Sequence, residues 1–201
     1  MKLPLCLGGV LMLAAIAGNA SEVVIRNDGT RIVLHENGTW ERAADDKSAA
    51  EHIAIANSGY GVFHFAYDRN RWTVEQHPLS DTVEFILRHQ NGSANVKIVT
   101  ERVTTSLDGL RELNLDLIRK NDPNGKIVRE SPLTVNGNKG LLVDTVSQAF
   151  GSTWRSRRYL WSGKQGSVQI ICTDSESNFE ESSADFNSLI NGFTTTGASK
   201  G

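Results

Sequence analysis

Cysteine is nearly absent from this sequence, with Cys6 and Cys172 the only two in 201 residues. Cys6 falls in an N-terminal stretch expected to be removed, which leaves Cys172 alone and excludes an internal disulfide as a source of stability. Cys172 ends the apolar, β-branched run Val168-Gln169-Ile170-Ile171-Cys172, the pattern of a buried strand, where a thiol is inert packing more often than a nucleophile. Long apolar runs are equally scarce. The stretch from Leu5 to Ala17 is shorter than the roughly 20 residues of a membrane-crossing helix, and no later stretch is as long. Neither sign of charge dominates: 21 Lys and Arg stand against 23 Asp and Glu, which excludes a general polyanion binder and argues against nucleic acid as a partner. Catalytic motifs are missing too. There is no Gly-x-Ser-x-Gly elbow, and the segment from Gly137 to Gly140 lacks the Lys-Ser/Thr ending of a phosphate loop. Five histidines, His35, His52, His64, His77 and His89, show none of the close spacings that make a metal site. His64 and His89 could meet on neighbouring strands, but spacing alone implies neither metal nor cofactor.

What is present begins with an address. Residues 1–20 comprise a basic start at Lys2, the apolar stretch, and the small residues Gly18-Asn19-Ala20 before Ser21, the pattern of an export signal. No Cys stands at the cleavage point, so a soluble, unlipidated periplasmic or secreted chain of about 180 residues is expected, enough for one cored domain and a small appendage. Removal of Lys2 leaves 20 basic and 23 acidic groups, a net charge of −3.

The remainder divides at 21–43, 44–59, 60–196 and 197–201. The first segment repeats Asn27-Asp28-Gly29-Thr30 as Glu36-Asn37-Gly38-Thr39. Asp-Gly and Asn-Gly supply the positive φ angles of hairpin turns, so three short strands ending near Trp40 form a β meander too small to stand alone. Asn37 and Asn91 match a glycosylation acceptor pattern, which turn geometry explains without sugar. Residues 44–59 turn to alanine and charge and are expected to be a linker, with a marginal helix around 48–56. Strands follow at 61–67, 72–76, 82–89 and 94–103, the last two joined at Asn91-Gly92. Leu107, Leu110, Leu113 or Asn114, Leu117 and Ile118 then recur at helical spacing, with Thr105 or Ser106 as cap and Asn121-Asp122-Pro123-Asn124-Gly125 as stop. Strands are expected again at 126–129, 133–135, 140–147, 153–162 and 167–173. A last helix carries Phe179, Ser183, Phe186, Leu189 and Ile190 on one face, opened by a Ser177-x-x-Glu180 capping box and closed by Gly192 in a left-handed cap. The class is therefore α+β, a mostly antiparallel sheet layered with helices plus the small N-terminal meander.

Three motifs carry a family likeness: Phe63-His64-Phe65-Ala66-Tyr67 followed by Trp72, the turn Val135-Asn136-Gly137, and Phe186, Ile190 and Gly192-Phe193 at the close. Over residues 60–193 the chain resembles the PsbP-like superfamily. Relatives often carry Pro shortly before the Trp, where this chain has Asp68-Arg69-Asn70-Arg71. The segment from Asp28-Gly29-Thr30 to Gly38-Thr39-Trp40 resembles a small β module found at the start of other exported bacterial proteins. The resemblance implies an antiparallel sheet layered with helices and a role in protein association more often than catalysis, and it transfers no catalytic residue.

The densest chemistry lies in Trp154-Arg155-Ser156-Arg157-Arg158-Tyr159-Leu160-Trp161. As a strand it sends Arg155, Arg157, Tyr159 and Trp161 to one face and Trp154, Ser156, Arg158 and Leu160 to the other. Guanidinium groups beside aromatic rings suit a protein or anionic ligand, although a solvated strand face whose Arg stems shield the rings accounts for the same pattern. The expectation is a non-catalytic exported protein that binds a protein or cell-envelope partner, with Arg155, Arg157, Tyr159, Trp161 and Trp40 as contact residues. The alternatives are a small-ligand or anion binder using the same arginines, and a hydrolase with an unrecognised site.

Overall fold

The computed structural model describes residues 21–25, 31–35, 40–42, 52–78, 82–90 and 92–196, with side chains from residue 52 onward. The export-signal stretch, Asn91 and the turns of the N-terminal segment lie outside the described residues. Strands β1 (Ser21–Ile25), β2 (Arg31–His35) and β3 (Trp40–Arg42) pair antiparallel in that order, and β1 runs beside the C-terminal helix.

The main body is a seven-stranded, fully antiparallel sheet. In chain order its strands are β6 (Trp72–Gln76), β7 (Val83–His89), β8 (Asn95–Glu101), β9 (Lys126–Val135), β10 (Asn138–Ala149), β11 (Ser152–Gly163) and β12 (Gly166–Ser175), arranged in space as β6-β7-β8-β12-β11-β10-β9. Helix α1 (Leu107–Asn121) joins β8 to the far edge strand β9 across one face. On the other face lie helix α2 (Phe179–Asn191) and a second sheet of β4 (Ile53–Asn57), β5 (Phe63–Asp68) and β13 (Phe193–Thr195), in the order β13-β5-β4. The larger core fills the space between the main sheet and this second layer. Phe63, Phe65, Phe85, Phe179, Phe186 and Phe193 are fully buried there with Tyr159. Phe193 sits at its centre, 5.6 Å from the ring of Phe63, 5.6 Å from Tyr159 and 5.8 Å from Trp161. A lesser core of Leu110, Val143 and Leu160 lies under α1.

Several local readings change. Residues 53–57, placed in the linker, form β4: Ala54, Ala56 and the intervening Ile55 extend along β5, with Ile55 opposite Ala66. Residues 126–135 form one strand rather than two, because β9 is an edge strand and Pro132 has no ladder partner to lose on its open side. In α1, Ser106 accepts the Gly109 N–H at 3.0 Å, as its capping sequence predicts. Asn114, rather than Leu113, points inward, while Leu113 and Leu117 are exposed. The Asn114 amide explains the rotation, since it donates to Gln169 Oε1 at 2.8 Å and to the Leu110 carbonyl at 2.7 Å.

At α2 the capping box does not form. Asn178 is the N-cap without a side-chain cap bond, and Glu180 is drawn instead to Arg155, 2.8 Å away. Gly192 is right-handed (φ −73°), so its glycine is required by a neighbour and not by φ. A Cβ there would stand 2.4 Å from the Ala66 carbonyl oxygen, where β5 passes close enough for Ala66 N–H to bond Gly192 O at 3.1 Å.

Candidate functional site

Strand β11 divides its side chains as the alternation predicts, but both faces are covered. Arg155, Arg157, Tyr159 and Trp161 face α2 and the second sheet. Tyr159 is fully buried, Trp161 and Arg157 nearly so, and Arg155 is the one of the four that keeps a substantial exposed part. Tyr159 and Trp161 are thus core residues that pack on Phe193, and the expected solvated contact face is closed by the C-terminal helix. Trp40 lies in β3, and its side chain is outside the described residues.

The buried guanidinium has a complete set of partners. Arg157 Nε and Nη2 donate to the two oxygens of Asp144, both at 3.0 Å, and Nη1 donates to Ser183 Oγ and Asn187 Oδ1 on α2, both at 2.8 Å. The hydrogen bonds it donates to Asp144 raise the Arg157 pKa above its ordinary value, against the opposing effect of burial. Arg155 reaches the same carboxylate at 3.9 Å and stacks over the Phe179 ring, 4.5 Å from its centroid. Cys172 pairs with Arg157 across β11 and β12 and is fully buried. Burial pushes its thiol pKa up, Asp144 adds to that and Arg157 opposes it, so the thiol stays protonated and inert.

Under α1, Arg158 donates to Asn114 Oδ1 at 2.6 Å, and burial pushes its pKa down to about 10, still far above neutrality. The remaining buried acids are equally committed. Asp174 accepts from Ser182 Oγ and Ser175 N–H, both at 2.7 Å, and from Ser93 Oγ. Glu84, at the bulge in β7, accepts from Ser58 Oγ at 3.0 Å and Gly59 N–H at 2.6 Å. His64 and His89 do not lie on neighbouring strands. His64 is on β5, whereas His89 Nε2 lies 3.1 Å from Asp185 of α2. Among the described residues no three His, Cys, Asp or Glu side chains gather as metal ligands would, and no helix is long and apolar enough to cross a membrane.

One outward feature escaped the sequence reading. Strands β10 and β11 join through Phe150 and Gly151, with φ of 53° and 75°. Both central residues of a two-residue type I′ turn need positive φ, and Asn, Asp or Gly normally supply it. Phe150 is a bulky residue held in that left-handed region while its side chain is fully exposed. The turn is braced: Trp154 Nε1 donates to the Ala149 carbonyl at 3.1 Å, Gln148 N–H to Asp122 Oδ2 at 2.7 Å, and Gln148 Nε2 to Thr153 Oγ1 at 2.8 Å. The signal available in sequence was an aromatic residue directly before the Gly of a hairpin turn.

Two other elements adjoin the end of the sheet that carries this turn. Lys126 pairs with Val146, and Asp122 holds Gln148, so the β10–β11 turn, the end of α1 and the start of β9 share it. Val128, the extra residue of a bulge in β9, is exposed beside Asp144 and Thr145 in the middle of β10, and Leu117 of α1 is exposed as well.

The arrangement of sheet and helices is that of PsbP. The solution structure of the cyanobacterial PsbP (CyanoP) from Synechocystis sp. PCC 6803 superposes with a TM-score of 0.57 at 9% identity, covering 72% of this chain and 92% of that one. LpqN of Mycobacterium tuberculosis, a protein involved in cell envelope biogenesis, superposes at 0.53 and 9% identity over 76% of this chain and 97% of its own. No family model matches the sequence, and no curated protein is significantly similar to it. The chain has the PsbP-like fold, and at these identities the likeness is one of fold.

Proposed function

We propose that this chain is an exported, non-catalytic binding protein of the cell envelope that engages a protein partner through the β10–β11 turn, with Phe150 as the anchor. The observation that carries the reading is that Phe150 is fully exposed in a strained conformation on a braced turn. Backbone strain of this kind costs about 1–3 kcal/mol, persists only where the surrounding structure holds it in place, and clusters at functional sites. A rigid exposed aromatic is also the usual form of an interface hot spot. The residues around it, Gln148-Ala149 and Gly151-Ser152-Thr153, carry no charge. A lipid surface is normally approached with basic flanks, so a pocket on a protein suits this turn better.

The export-signal pattern of residues 1–20 supports the compartment, and the fold shared with an envelope-biogenesis protein is compatible with it. The commitment of Asp144, Asp174, Glu84, Arg157 and Cys172 to internal contacts supports a role without catalysis.

The test is site-specific photo-crosslinking in the native host. A photoreactive phenylalanine at position 150 is expected to give a discrete adduct with one envelope protein in the exported fraction. The same group at Lys164, an exposed residue in the β11–β12 turn at the opposite end of β11, is expected to give none. Identical adduct patterns at the two positions, or none at 150, would rule out the anchor.

A further inference from the structure

Where the edge of the main sheet meets the C-terminal half of α2, an open cavity of about 180 Å³ is lined by Leu133, Leu142 and Ile190 together with Arg129, Arg157, Asn187 and Asn191. At roughly 30 Å³ per water it has room for about six waters, the scale of a small ligand. Ile190 and Arg157 are buried and Leu133 and Leu142 half-buried, whereas Arg129 and Asn187 are exposed. The buried side is therefore lined by aliphatic groups beside the Arg157 guanidinium, and a second cation and an amide stand at the exposed side.

The charges at the cavity are unequally committed. Arg129, Asp144 and Arg157 occupy one cross-strand row on β9, β10 and β11. Asp144 is taken by Arg157 through two hydrogen bonds, so two cations and one anion leave a net of +1, held by Arg129. The Arg129 side chain has no hydrogen bond or ion pair among the described residues. The amide of Asn187 is oriented by its neighbour: Arg157 can only donate, so the atom facing it is Oδ1, and Nδ2 remains free to donate. The side-chain amide of Asn191 is uncommitted as well, its backbone carbonyl being the group that Asn136 engages.

We infer that this cavity binds a small aliphatic monocarboxylate, its carboxylate on Arg129 with the Asn187 and Asn191 amides and its alkyl group against Leu133, Leu142 and Ile190. A single free cation matches one negative charge and not the two of a phosphate. Guanidinium and amide N–H groups are the donors that pair with the two in-plane oxygens of a carboxylate. The same chemistry can come from a free short-chain acid or from the C-terminus of a protein chain ending in an aliphatic residue. The site is independent of Phe150, and its failure would leave that anchor untouched.

Titration of the ¹⁵N-labelled protein with sodium hexanoate tests it. Saturable shifts are expected in the side-chain amides of Asn187 and Asn191, with neither hexanol nor inorganic phosphate saturating at the same concentrations. Arg129→Gln is expected to weaken binding at least tenfold while leaving thermal unfolding unchanged, since Arg129 supports no internal contact. Ala-Ala-Leu as the free acid, beside its amide, separates the two sources. Tighter binding of the peptide acid than of hexanoate assigns the site to a protein C-terminus, and the reverse order to a free acid. Undiminished binding to Arg129→Gln, equal binding of hexanol or phosphate, or the absence of saturable shifts overturns the proposal.

Discussion

At Asp144 a carboxylate with no solvent exposure holds Arg157 by two hydrogen bonds. Removing the acid leaves a buried cation uncompensated, so Asp144→Asn is expected to lower stability by about 3–5 kcal/mol in urea unfolding. Replacing both partners, as in Asp144→Leu with Arg157→Met, should recover most of that loss, because two buried charges then need no solvation. Cys172 makes a different prediction. Its folded pKa is raised, so above the unfolded thiol pKa of about 8.5 the unfolded chain sheds a proton that the folded chain keeps. Stability should therefore fall with rising pH from that point, by about 1.4 kcal/mol per unit. Tyr159, also raised by burial, joins above about 10. Urea unfolding of Cys172→Ala between these two values should show the first decline removed. The burial of Cys172 was legible in its β-branched surroundings. The burial of Arg157, Tyr159 and Trp161 was not, because alternation assigns a side chain to a face and cannot say that a helix and a strand from later in the chain cover it.

Two hairpin turns built on the same geometry show how an element can be tuned for different ends. Asn136-Gly137 and Phe150-Gly151 both place two residues at positive φ. Asn136 is suited to that conformation, and its Nδ2 also donates to the carbonyls of Asn191 at 2.9 Å and Phe193 at 2.8 Å, tying β9 and β10 to the chain's last strand. Asn136→Gly keeps the turn but strands those acceptors, for an expected loss of about 1–3 kcal/mol. Phe150→Asn relieves a strained residue and removes nothing buried, for an expected gain of about 1 kcal/mol. Thermal or urea unfolding of the two variants should move in opposite directions. The Asn-Gly turn was plain in the sequence, and so were the helices and most strands. Misplaced elements share one cause. The strand at β4, the continuity of β9 through Pro132 and the facing of α1 depend on which neighbour each segment meets, and that information lies elsewhere in the chain. The capping box at α2 was lost for the same reason, when Arg155 claimed Glu180.

Across the whole molecule, the motifs that carry the family likeness turn out to be structural. Phe63 and Phe65 of β5 and Phe193 of β13 face one another across the second sheet, in the register Phe193 opposite Phe65. Asn136 and Gly192 fasten the same corner. The groups that identify the fold are the groups that hold it together. Among the described residues Phe150 is the most exposed of the large apolar side chains, and it marks the surface of the β10–β11 turn. The most direct test of that surface is the dissociation constant of the crosslinked partner for Phe150→Asn relative to the unaltered protein. At least a tenfold weakening is expected in a variant that unfolds at a higher temperature, whereas unchanged affinity would contradict the account.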